Sequence, residues 1–204
     1  MLKHCEMDPS IRISLKPESV SWDEIHQVIW QSHEENRRNG VVMRYPSLPG
    51  EEIRKRVGEE GKMLVALTED GKLIGTGAVF PKKASLWFGK DTFAYCCFAS
   101  VLPEYNGKGV YKEICRRQEE IAREMGLDKM LFDTHEKNSR NLGHSIKAGY
   151  RPVDVKFYGD HYNVVMVKWM DGCPYSDWVC AFHYRLRSLR LHLGIWLSKY
   201  RNRK

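Results

Sequence analysis

Apolar and polar residues alternate early in the chain and then change to a helical period. Ile11 to Leu15 alternates the two kinds of residue, which is typical of a half-buried strand. Ser21 is a favourable N-cap residue, and the residues after it place two acids in the first helical turn. Ile25, Val28 and Ile29 then form one apolar stripe. The pattern therefore predicts a strand followed by an amphipathic helix.

The end of this first helix is set by the charged run from Glu34 to Arg38, where the apolar stripe stops. Gly40 is the predicted helix end, because glycine readily adopts the left-handed backbone that closes a helix. A second helix is predicted to begin near Pro49, with Ile53 and Val57 on its inner side.

Three strands are predicted next. Met63 to Leu67 is a short apolar run, Glu69 to Lys72 is a turn, and Leu73 to Phe80 is the returning strand. An Asp-Gly pair between two such runs is a strong hairpin signal. Phe93 to Val101 is predicted as the next strand, and Pro103 to Lys108 as a loop.

In the second half of the chain, the pattern of apolar residues predicts helices and strands in alternation. A helix over Gly109–Met125 would bury Ile114, Ile121 and Met125 and end at Gly126. The later predicted elements are a strand Lys129–Phe132, a helix Asn138–Ala148 ended by Gly149, and strands Tyr150–Phe157 and Tyr162–Trp169 around the turn Tyr158-Gly159-Asp160. This order predicts an α/β layer structure with a mixed, mostly antiparallel sheet over residues 1–170 and an extension over 171–204.

Composition narrows the class of protein. The 204 residues are 42% hydrophobic, enough for a buried core, and no apolar run reaches the roughly 20 residues that span a bilayer. The first residues have no apolar run typical of a secretory signal, so we expect a cytoplasmic protein. The six cysteines form no CxxC pair. We therefore expect reduced thiols and no metal site.

The positive charge of the chain is concentrated at its end. Residues 178–204 contain seven basic residues and no acidic residue. They equal the whole formal net charge of +7, so residues 1–177 are neutral overall. Apolar residues recur in this segment at helical spacing: Phe182, Leu186, Leu189, Leu193, Trp196 and Tyr200. The pattern predicts a basic amphipathic helix, although Arg187 to Leu193 also partly alternates, as a strand would.

Several partners fit such a helix. It could pack on the domain or on a second copy of the chain, forming a homodimer, and this is the interpretation we favour. It could instead rest on a membrane surface, which would make the protein peripheral to a membrane, or bind another protein. Nucleic acid fits less well, because leucines outnumber exposed stacking residues.

The segment after the Phe93–Val101 strand has the features of an anion-binding loop. Gly107 and Gly109 follow a strand and open a helix, so the backbone N–H groups can turn toward a ligand. The helix N-terminus contributes positive potential, and Lys108 adds a full charge. The expected anion is a di- or triphosphate. The P-loop spacing and its Lys-Ser/Thr pair are missing.

The run from Val101 and Leu102 through Asn106-Gly107-Lys108-Gly109-Val110-Tyr111 resembles the acetyl-CoA loop of the GNAT acetyltransferase superfamily. That motif reads Arg/Gln-x-x-Gly-x-Gly/Ala. Asn106 stands at its Arg/Gln position, Gly109 at its central glycine, and Tyr111 at its final small residue. The resemblance implies that these residues bind the pyrophosphate of acetyl-CoA. It also implies that one side-chain contact is lost at Asn106 and that Tyr111 is unusually bulky.

A second segment agrees with the first. Asn138, followed by Gly149 and Tyr150, resembles the Asn…Gly-Phe/Tyr segment of the same superfamily, whose asparagine and helix lie along the pantetheine arm. The order of elements over about residues 10 to 170 also resembles the GNAT fold. The resemblance therefore implies a GNAT acyltransferase with acetyl-CoA as cosubstrate, Asn138 as a binding residue and a small-molecule amine as acceptor, such as an amino sugar, amino acid or polyamine.

In that family an amine attacks the thioester directly, and a backbone N–H near Ser100 to Leu102 would stabilise the oxyanion. The usual tyrosine acid corresponds to Ser145, which is a poor acid. Water, or His144, could protonate the thiolate instead. His135, after Asp133 and near Glu136, is the preferred candidate for proton transfer, because a histidine titrates near neutral pH.

Other functions remain open on the sequence alone. Ser145 and the altered loop are compatible with a CoA-binding module that has little catalysis, and the basic tail with an interaction protein that docks on a membrane or a partner. His33, Glu34 and Glu35 fall where the family binds its acceptor. We interpret them as a solvated helix face.

Overall fold

The computed structural model describes residues 7–41, 47–158 and 161–201, and gives only the backbone of residues 194–201. Cys5, Gly159 and Asp160 lie outside these ranges. In chain order the elements are β1 (Ile11–Leu15), α1 (Trp22–Ser32), α2 (Glu34–Arg38), α3 (Gly50–Val57), β2 (Lys62–Thr68), β3 (Leu73–Leu86), β4 (Gly89–Val101), α4 (Val110–Glu124), β5 (Lys129–His135), α5 (Ser139–Lys147), β6 (Arg151–Phe157), β7 (Tyr162–Trp169) and α6 (Asp177–Arg201). The seven strands form a sheet in the order β1-β2-β3-β4-β5-β7-β6.

The predicted fold class is confirmed. β1 pairs with β2, β2 with β3, β5 with β7 and β6 with β7, all antiparallel. The chain divides into two compact units. Unit 1 contains the described residues up to Lys82 together with Ala94–Leu127, and unit 2 contains Lys83–Phe93 and the described residues from Asp128 onward.

The first helix begins where the sequence predicts. Ser21 Oγ accepts a hydrogen bond from the N–H of Glu24 at 3.1 Å, and Glu24 Oε2 accepts one from the N–H of Ser21 at 2.7 Å. This capping box satisfies two N–H groups that a helix start would otherwise leave unpaired. The predicted continuation to Gly40 is wrong: α1 ends at Ser32, and His33, with φ −102° and ψ 10°, separates it from the short α2.

Helix α4 packs on β3 of unit 1 at unusually close range. A methyl group on Gly77 would lie 2.4 Å from Ile114 Cγ2, closer than side chains tolerate. One turn further along α4, the buried side chain of Gln118 donates from Nε2 to the carbonyl oxygen of Ala78 at 2.8 Å. Gly77 therefore provides the space that lets α4 approach the strand.

The strands β3 and β4 form a longer hairpin than predicted. β3 continues to Leu86 rather than ending at Phe80, and β4 begins at Gly89 rather than at Phe93. The polar residues after Phe80 hide this hairpin in the sequence. Its tip is packed by aromatic rings of unit 2: the rings of Trp87 and His183 are stacked with centroids 4.1 Å apart.

The predicted strands of unit 2 are confirmed with small shifts. β6 is the last strand in the sheet order, and this explains how it tolerates Pro152, which cannot donate to a ladder. β5 runs on to His135, three residues past the predicted end at Phe132. The C-terminal segment forms the helix α6 throughout its described length, so the alternative of a strand is wrong. Helix α6 packs against β6. No described helix is long and apolar enough to cross a membrane.

We predict that Gly77→Ala destabilises the protein by about 1–3 kcal/mol, because its methyl group would overlap Ile114. Urea unfolding measures the change. Combining Gly77→Ala with Ile114→Ala should cost less than the two single changes together, because Ile114→Ala removes the overlapping atom. The control is Gly143→Ala on α5, where no atom lies within 4 Å. A Gly77→Ala protein as stable as this control would contradict the packing argument.

Candidate functional site

The predicted anion-binding loop lies in unit 1, between β4 and α4. A short 3-10 helix over Pro103–Tyr105 leads to two glycines with left-handed backbones, Gly107 at φ 80° and Gly109 at φ 78°. Gly109 is the N-cap of α4, and no side chain caps this helix. The first N–H groups of an α-helix have no partner within it, so those of Val110 and Lys112 are oriented for a ligand.

The residues that flank the loop hold it in place. Val101, Leu102 and Val110 are buried in one apolar cluster with Ile114. The N–H of Leu102 donates to the carbonyl oxygen of Ile74 at 2.9 Å, so this N–H is already used within the sheet. Because their side chains are buried, Val101, Leu102 and Val110 can contribute to cofactor binding only through backbone atoms. At Leu102 the N–H is already used, so its carbonyl oxygen is what could contribute.

The exposed side chains of the loop suit an anion. Asn106, Gly107 and Lys108 are exposed, and the Lys108 ammonium lies 4.7 Å from the centroid of the Tyr105 ring. No atom lies within 4 Å of the position that a side chain on Gly107 would take. The loop therefore offers open space, backbone donors and a positive charge together, as a pyrophosphate group requires.

Tyr111 does not obstruct this loop. Its ring packs against the apolar cluster beneath the loop, and burial, followed by the neighbouring Cys115, raises the pKa of its phenol. The bulk that the sequence places at a normally small position is thus directed into the core.

The end of β4 contains a strained residue. Among the described residues other than glycine, only Phe98 has a positive φ, of 55°. The hydroxyl of Thr76 donates to the Phe98 carbonyl oxygen at 2.7 Å and holds this conformation. Such strain persists where the surroundings enforce it, often at functional sites. Phe98 lies two residues before Ser100, where the family resemblance implies that the fourth strand separates from its neighbour.

Two residues beyond Phe98, Ser100 contacts a histidine from the break between α1 and α2. His33 Nε2 lies 3.2 Å from Ser100 Oγ, and His33 Nδ1 lies 3.1 Å from Asn36 Nδ2. An amide nitrogen can only donate, so Nδ1 accepts and the ring proton resides on Nε2. His33 therefore donates to Ser100, whose own hydroxyl hydrogen is directed elsewhere.

The sequence interpretation of His33 as part of a solvated helix face is wrong, although Glu34 and Glu35 are exposed as expected. Burial, with a smaller effect of Arg37, lowers the pKa of His33 to about 4. The ring is therefore neutral at physiological pH and acts as a fixed hydrogen-bond donor. The sequence contains no signal for this contact, because the break at His33 was not predicted and Ser100 is distant in sequence.

In unit 2, the residues with implied binding and catalytic roles form a polar chain along α5. Asn138 caps the helix by accepting from the N–H of Asn141 at 3.3 Å, and its amide donates to Thr134 Oγ1 at 3.3 Å. The buried hydroxyl of Ser145 lies 3.4 Å from Asn141 Oδ1, to which it donates. Asn138 and Ser145 thus have clear structural roles, and their roles toward CoA remain predictions.

His135 occupies the last position of β5 and is only 3% exposed. Its Nδ1 accepts from the N–H of Lys137 at 3.0 Å, and its ring is stacked on His161 with centroids 4.7 Å apart. Glu136 Oε2 lies 3.2 Å from the same Nδ1. Because Nδ1 accepts a hydrogen bond from a backbone N–H, it has no proton to donate to Glu136, and the contact is not an ion pair. These contacts are those of a packed histidine, and its proposed proton transfer remains a prediction.

The other proton-transfer candidates are dispersed. His144 is exposed on α5, and burial of part of its ring, followed by Lys147 and Arg140, lowers its pKa. Asp133, suggested as a partner of His135, accepts from Asn163 at 2.7 Å and pairs with Lys156 at 3.2 Å. Across the described residues, no three His, Cys, Asp or Glu side chains are grouped as metal ligands.

Comparison with known proteins identifies the family. The model of the Acetyltransferase (GNAT) family matches residues 22–143. No curated protein matches the chain.

Solved structures show a similar fold. The acetyltransferase of Streptococcus agalactiae 2603 is 16% identical with a TM-score of 0.60, covering 79% of this chain and 99% of its own. A GNAT-family acetyltransferase of Staphylococcus aureus Mu50 is 16% identical with a TM-score of 0.61, covering 78% and 99%. One from Elizabethkingia anophelis with acetyl-CoA bound is 11% identical with a TM-score of 0.55, covering 79% and 99%. The matched residues include the glycine loop, α4 and the start of α5, and the chain belongs to the GNAT acetyltransferase family.

Proposed function

We propose that this protein is an N-acetyltransferase that moves an acetyl group from acetyl-CoA to the amine of a small molecule, by direct attack in a ternary complex. The observation that supports this most strongly is the loop before α4, with two left-handed glycines, an uncapped helix start and Lys108. In a member of this family, such a loop suits the pyrophosphate of acetyl-CoA.

The reaction has simple requirements. A bond forms between the amine nitrogen and the acetyl carbon, the carbon–sulfur bond breaks, the nitrogen loses one proton and the sulfur gains one. The chain must position the thioester, supply a donor to its carbonyl oxygen and admit a neutral amine. A thiol with a pKa of about 8.5 is a good leaving group, so water can supply the last proton.

In the proposed reaction, Ser100 is the donor to the thioester carbonyl oxygen. Ser100 lies on β4, just before the binding loop. It is only 3% exposed, so the reaction requires neighbouring atoms to move for the thioester to reach it. His33 already donates to its oxygen, which leaves its hydroxyl hydrogen for another acceptor. His33 is a positioning residue, and Asn36 fixes the tautomer of its ring. This arrangement assigns no proton transfer to His33, whose low pKa makes it a weak base.

One observation favours a second candidate function. Ser145 stands where the family has its acid, and its hydroxyl is buried and occupied by Asn141. A chain without that acid could bind CoA and transfer acetyl groups only slowly. The alternative is therefore a CoA-binding module of the same fold.

Titration calorimetry with acetyl-CoA, followed by a thiol-release assay on a panel of amino sugars, amino acids and polyamines, tests both functions. Binding with turnover of at least one amine supports the enzyme. Binding without turnover of any amine supports the binding module. Absence of binding would contradict both.

The loop is tested by a pair of matched glycines. Gly107 and Gly71 have nearly equal φ values, 80° and 81°, and open space around the missing side chain. Alanine therefore introduces the same backbone strain at both positions, but only at Gly107 does the methyl group occupy the proposed phosphate site. We predict that Gly107→Ala raises the Kd of CoA about tenfold or more, equivalent to about 1.4 kcal/mol.

Gly71→Ala, in the turn between β2 and β3, should leave the Kd unchanged. Calorimetry of both variants provides the comparison. Equal affinities for CoA in the two variants would place the pyrophosphate somewhere other than this loop.

Ser100 and His33 should act as a unit. We predict that Ser100→Ala and His33→Phe each lower kcat about 10- to 100-fold. A loss of about 100-fold is typical when one donor to a developing oxyanion is removed. The double variant should be little worse than either single one, since His33 acts through Ser100.

His33→Gln should restore part of the rate, because its amide can still donate to Ser100. The matched control is His26→Gln on α1, the helix that ends just before His33, and it should leave kcat unchanged. A loss of kcat in the double variant equal to the product of the two single losses would contradict a shared role. A normal kcat in Ser100→Ala would show that Ser100 does not act in the reaction.

The low pKa of His33 makes stability depend on pH. The unfolded histidine binds a proton near pH 6.5, whereas the folded one binds it near pH 4, so stability is greatest above pH 6.5 and falls as the pH drops toward 4. The size of this loss is at most about 3 kcal/mol. Urea unfolding at several pH values should show a smaller loss for His33→Gln than for the unchanged protein. Equal losses would show that His33 titrates normally in the folded state.

A further inference from the structure

Helix α6 contacts unit 2 mainly through one side, and toward its end the His192 ring lies edge-on to the Tyr162 ring of β7, with centroids 5.6 Å apart. Cys180 is buried, and the His183 ring is stacked on Trp87. Arg187 Nε lies 3.5 Å from Asp154 on β6, and at the helix start Asp177 accepts from Arg151 Nε at 2.5 Å. These contacts fix which side of α6 faces the domain and which faces solvent.

The solvent side of α6 contains an apolar stripe. Its members recur at helical spacing, and their exposed fractions are 72% for Trp178, 48% for Phe182, 57% for Leu189 and 50% for Leu193. The rings of Trp178 and Phe182 stack on each other, with centroids 5.5 Å apart. From Trp178 to Leu193 the stripe spans about 22 Å, at 1.5 Å per residue.

The sequence favoured a helix whose apolar side packs on the domain or on a second copy of the chain, and the structure excludes the first of these for the described part of the stripe. Phe182, Leu189 and Leu193 are exposed, and Leu186 is half-buried. The side of α6 that packs on the domain is the one with Cys180 and His183. An aligned exposed stripe of this kind marks an interaction surface, since isolated exposed leucines are common but rows of them are not.

The charge around the stripe identifies the partner chemistry. Arg185 and Arg190 are exposed on the same helix, and residues 178–204 contain seven basic residues and no acidic one. A second copy of the chain would bring an equally positive helix against this one, so self-association through the stripe is opposed by repulsion. A nucleic acid would meet the arginines and leave the leucines in water.

We propose that α6 docks on the surface of a bilayer that contains anionic lipids, with Trp178, Phe182, Leu189 and Leu193 inserted at the boundary between headgroups and acyl chains. A helix that lies in the interface presents such a face together with basic residues. Here Arg190 lies beside the stripe, and Arg185 lies within it, between Phe182 and Leu189, where its long side chain can extend to the headgroups. Each basic residue near an anionic surface adds attraction that salt screens, and the leucines gain a dry environment. The acetyltransferase fold would thereby act on substrates beside a membrane.

Co-sedimentation of the full chain with vesicles tests this proposal. Vesicles of phosphatidylcholine with phosphatidylglycerol should bind the protein, vesicles of phosphatidylcholine alone should bind it much less, and added salt should weaken the binding. The combined variant Trp178→Ser and Phe182→Ser should lower the partition coefficient about tenfold or more, because the lost apolar burial exceeds about 1.4 kcal/mol. Because the Phe182 ring also contacts His183, circular dichroism and the melting temperature of this variant check that α6 stays folded on unit 2.

Matched controls separate the stripe from general surface effects. Leu15→Ser removes a leucine that is 52% exposed on β1 and should leave binding unchanged, whereas Leu189→Ser should weaken it. Arg185→Gln with Arg190→Gln should lower binding to the anionic vesicles, whereas Arg54→Gln on α3 should not.

Three results would overturn the proposal. They are absence of binding to anionic vesicles, equal binding of the Trp178→Ser and Phe182→Ser variant, and a concentration-dependent dimer of the unchanged protein that this variant abolishes. The last result would mean that a second copy covers the stripe. None of these measurements depends on acetyl transfer, so failure here leaves the proposed enzyme activity to its own tests.

Discussion

The close approach of α4 to β3 determines the geometry of the binding loop. Gly77 leaves room for Ile114, and Gln118 ties the helix to the carbonyl oxygen of Ala78. With the helix fixed in this way, Val110 is buried at its start and the two left-handed glycines lie directly before it. The donors of the loop are thus oriented by core packing rather than by contacts within the loop, which is the kind of preorganisation that binding of a diphosphate requires.

A second constraint links the start of the chain to the same strand. The break between α1 and α2 places His33 against Ser100, and burial keeps its ring neutral. A neutral ring with a fixed tautomer is a reliable donor over a wide pH range. The strained backbone of Phe98, two residues earlier, marks the same part of β4 as a place where the surroundings enforce an unfavourable conformation.

Much of the fold could be predicted from local patterns. The alternation at Ile11–Leu15, the helix start after Ser21 and the strand Tyr162–Trp169 depend on neighbouring residues, and all appear as predicted. The hairpin tip at Trp87 could not be predicted, because its strands are stabilised by rings such as that of His183, far along the chain. The same holds for α6, whose period predicted a helix but not which side the domain would cover.

The candidate site was predictable to a similar degree. The glycine loop is visible in the sequence because Gly107 and Gly109 are adjacent to the charge of Lys108 and to a helix start. The contact of His33 with Ser100 is not visible, because the two residues are 67 positions apart and are brought together only by the fold. The burial of the Tyr111 ring likewise depends on the packing of a core that sequence periodicity does not specify.

Transfer of an acetyl group from acetyl-CoA to an amine is the activity that we propose for this protein. Incubation with isotopically labelled acetyl-CoA and a mixture of small amines, followed by mass spectrometry, tests it most directly. We expect a labelled acetamide in an amount equal to the free CoA thiol released, with both formed much faster than in buffer. Release of thiol without any labelled acetamide, or no release above the rate in buffer from a protein that binds acetyl-CoA, would contradict it.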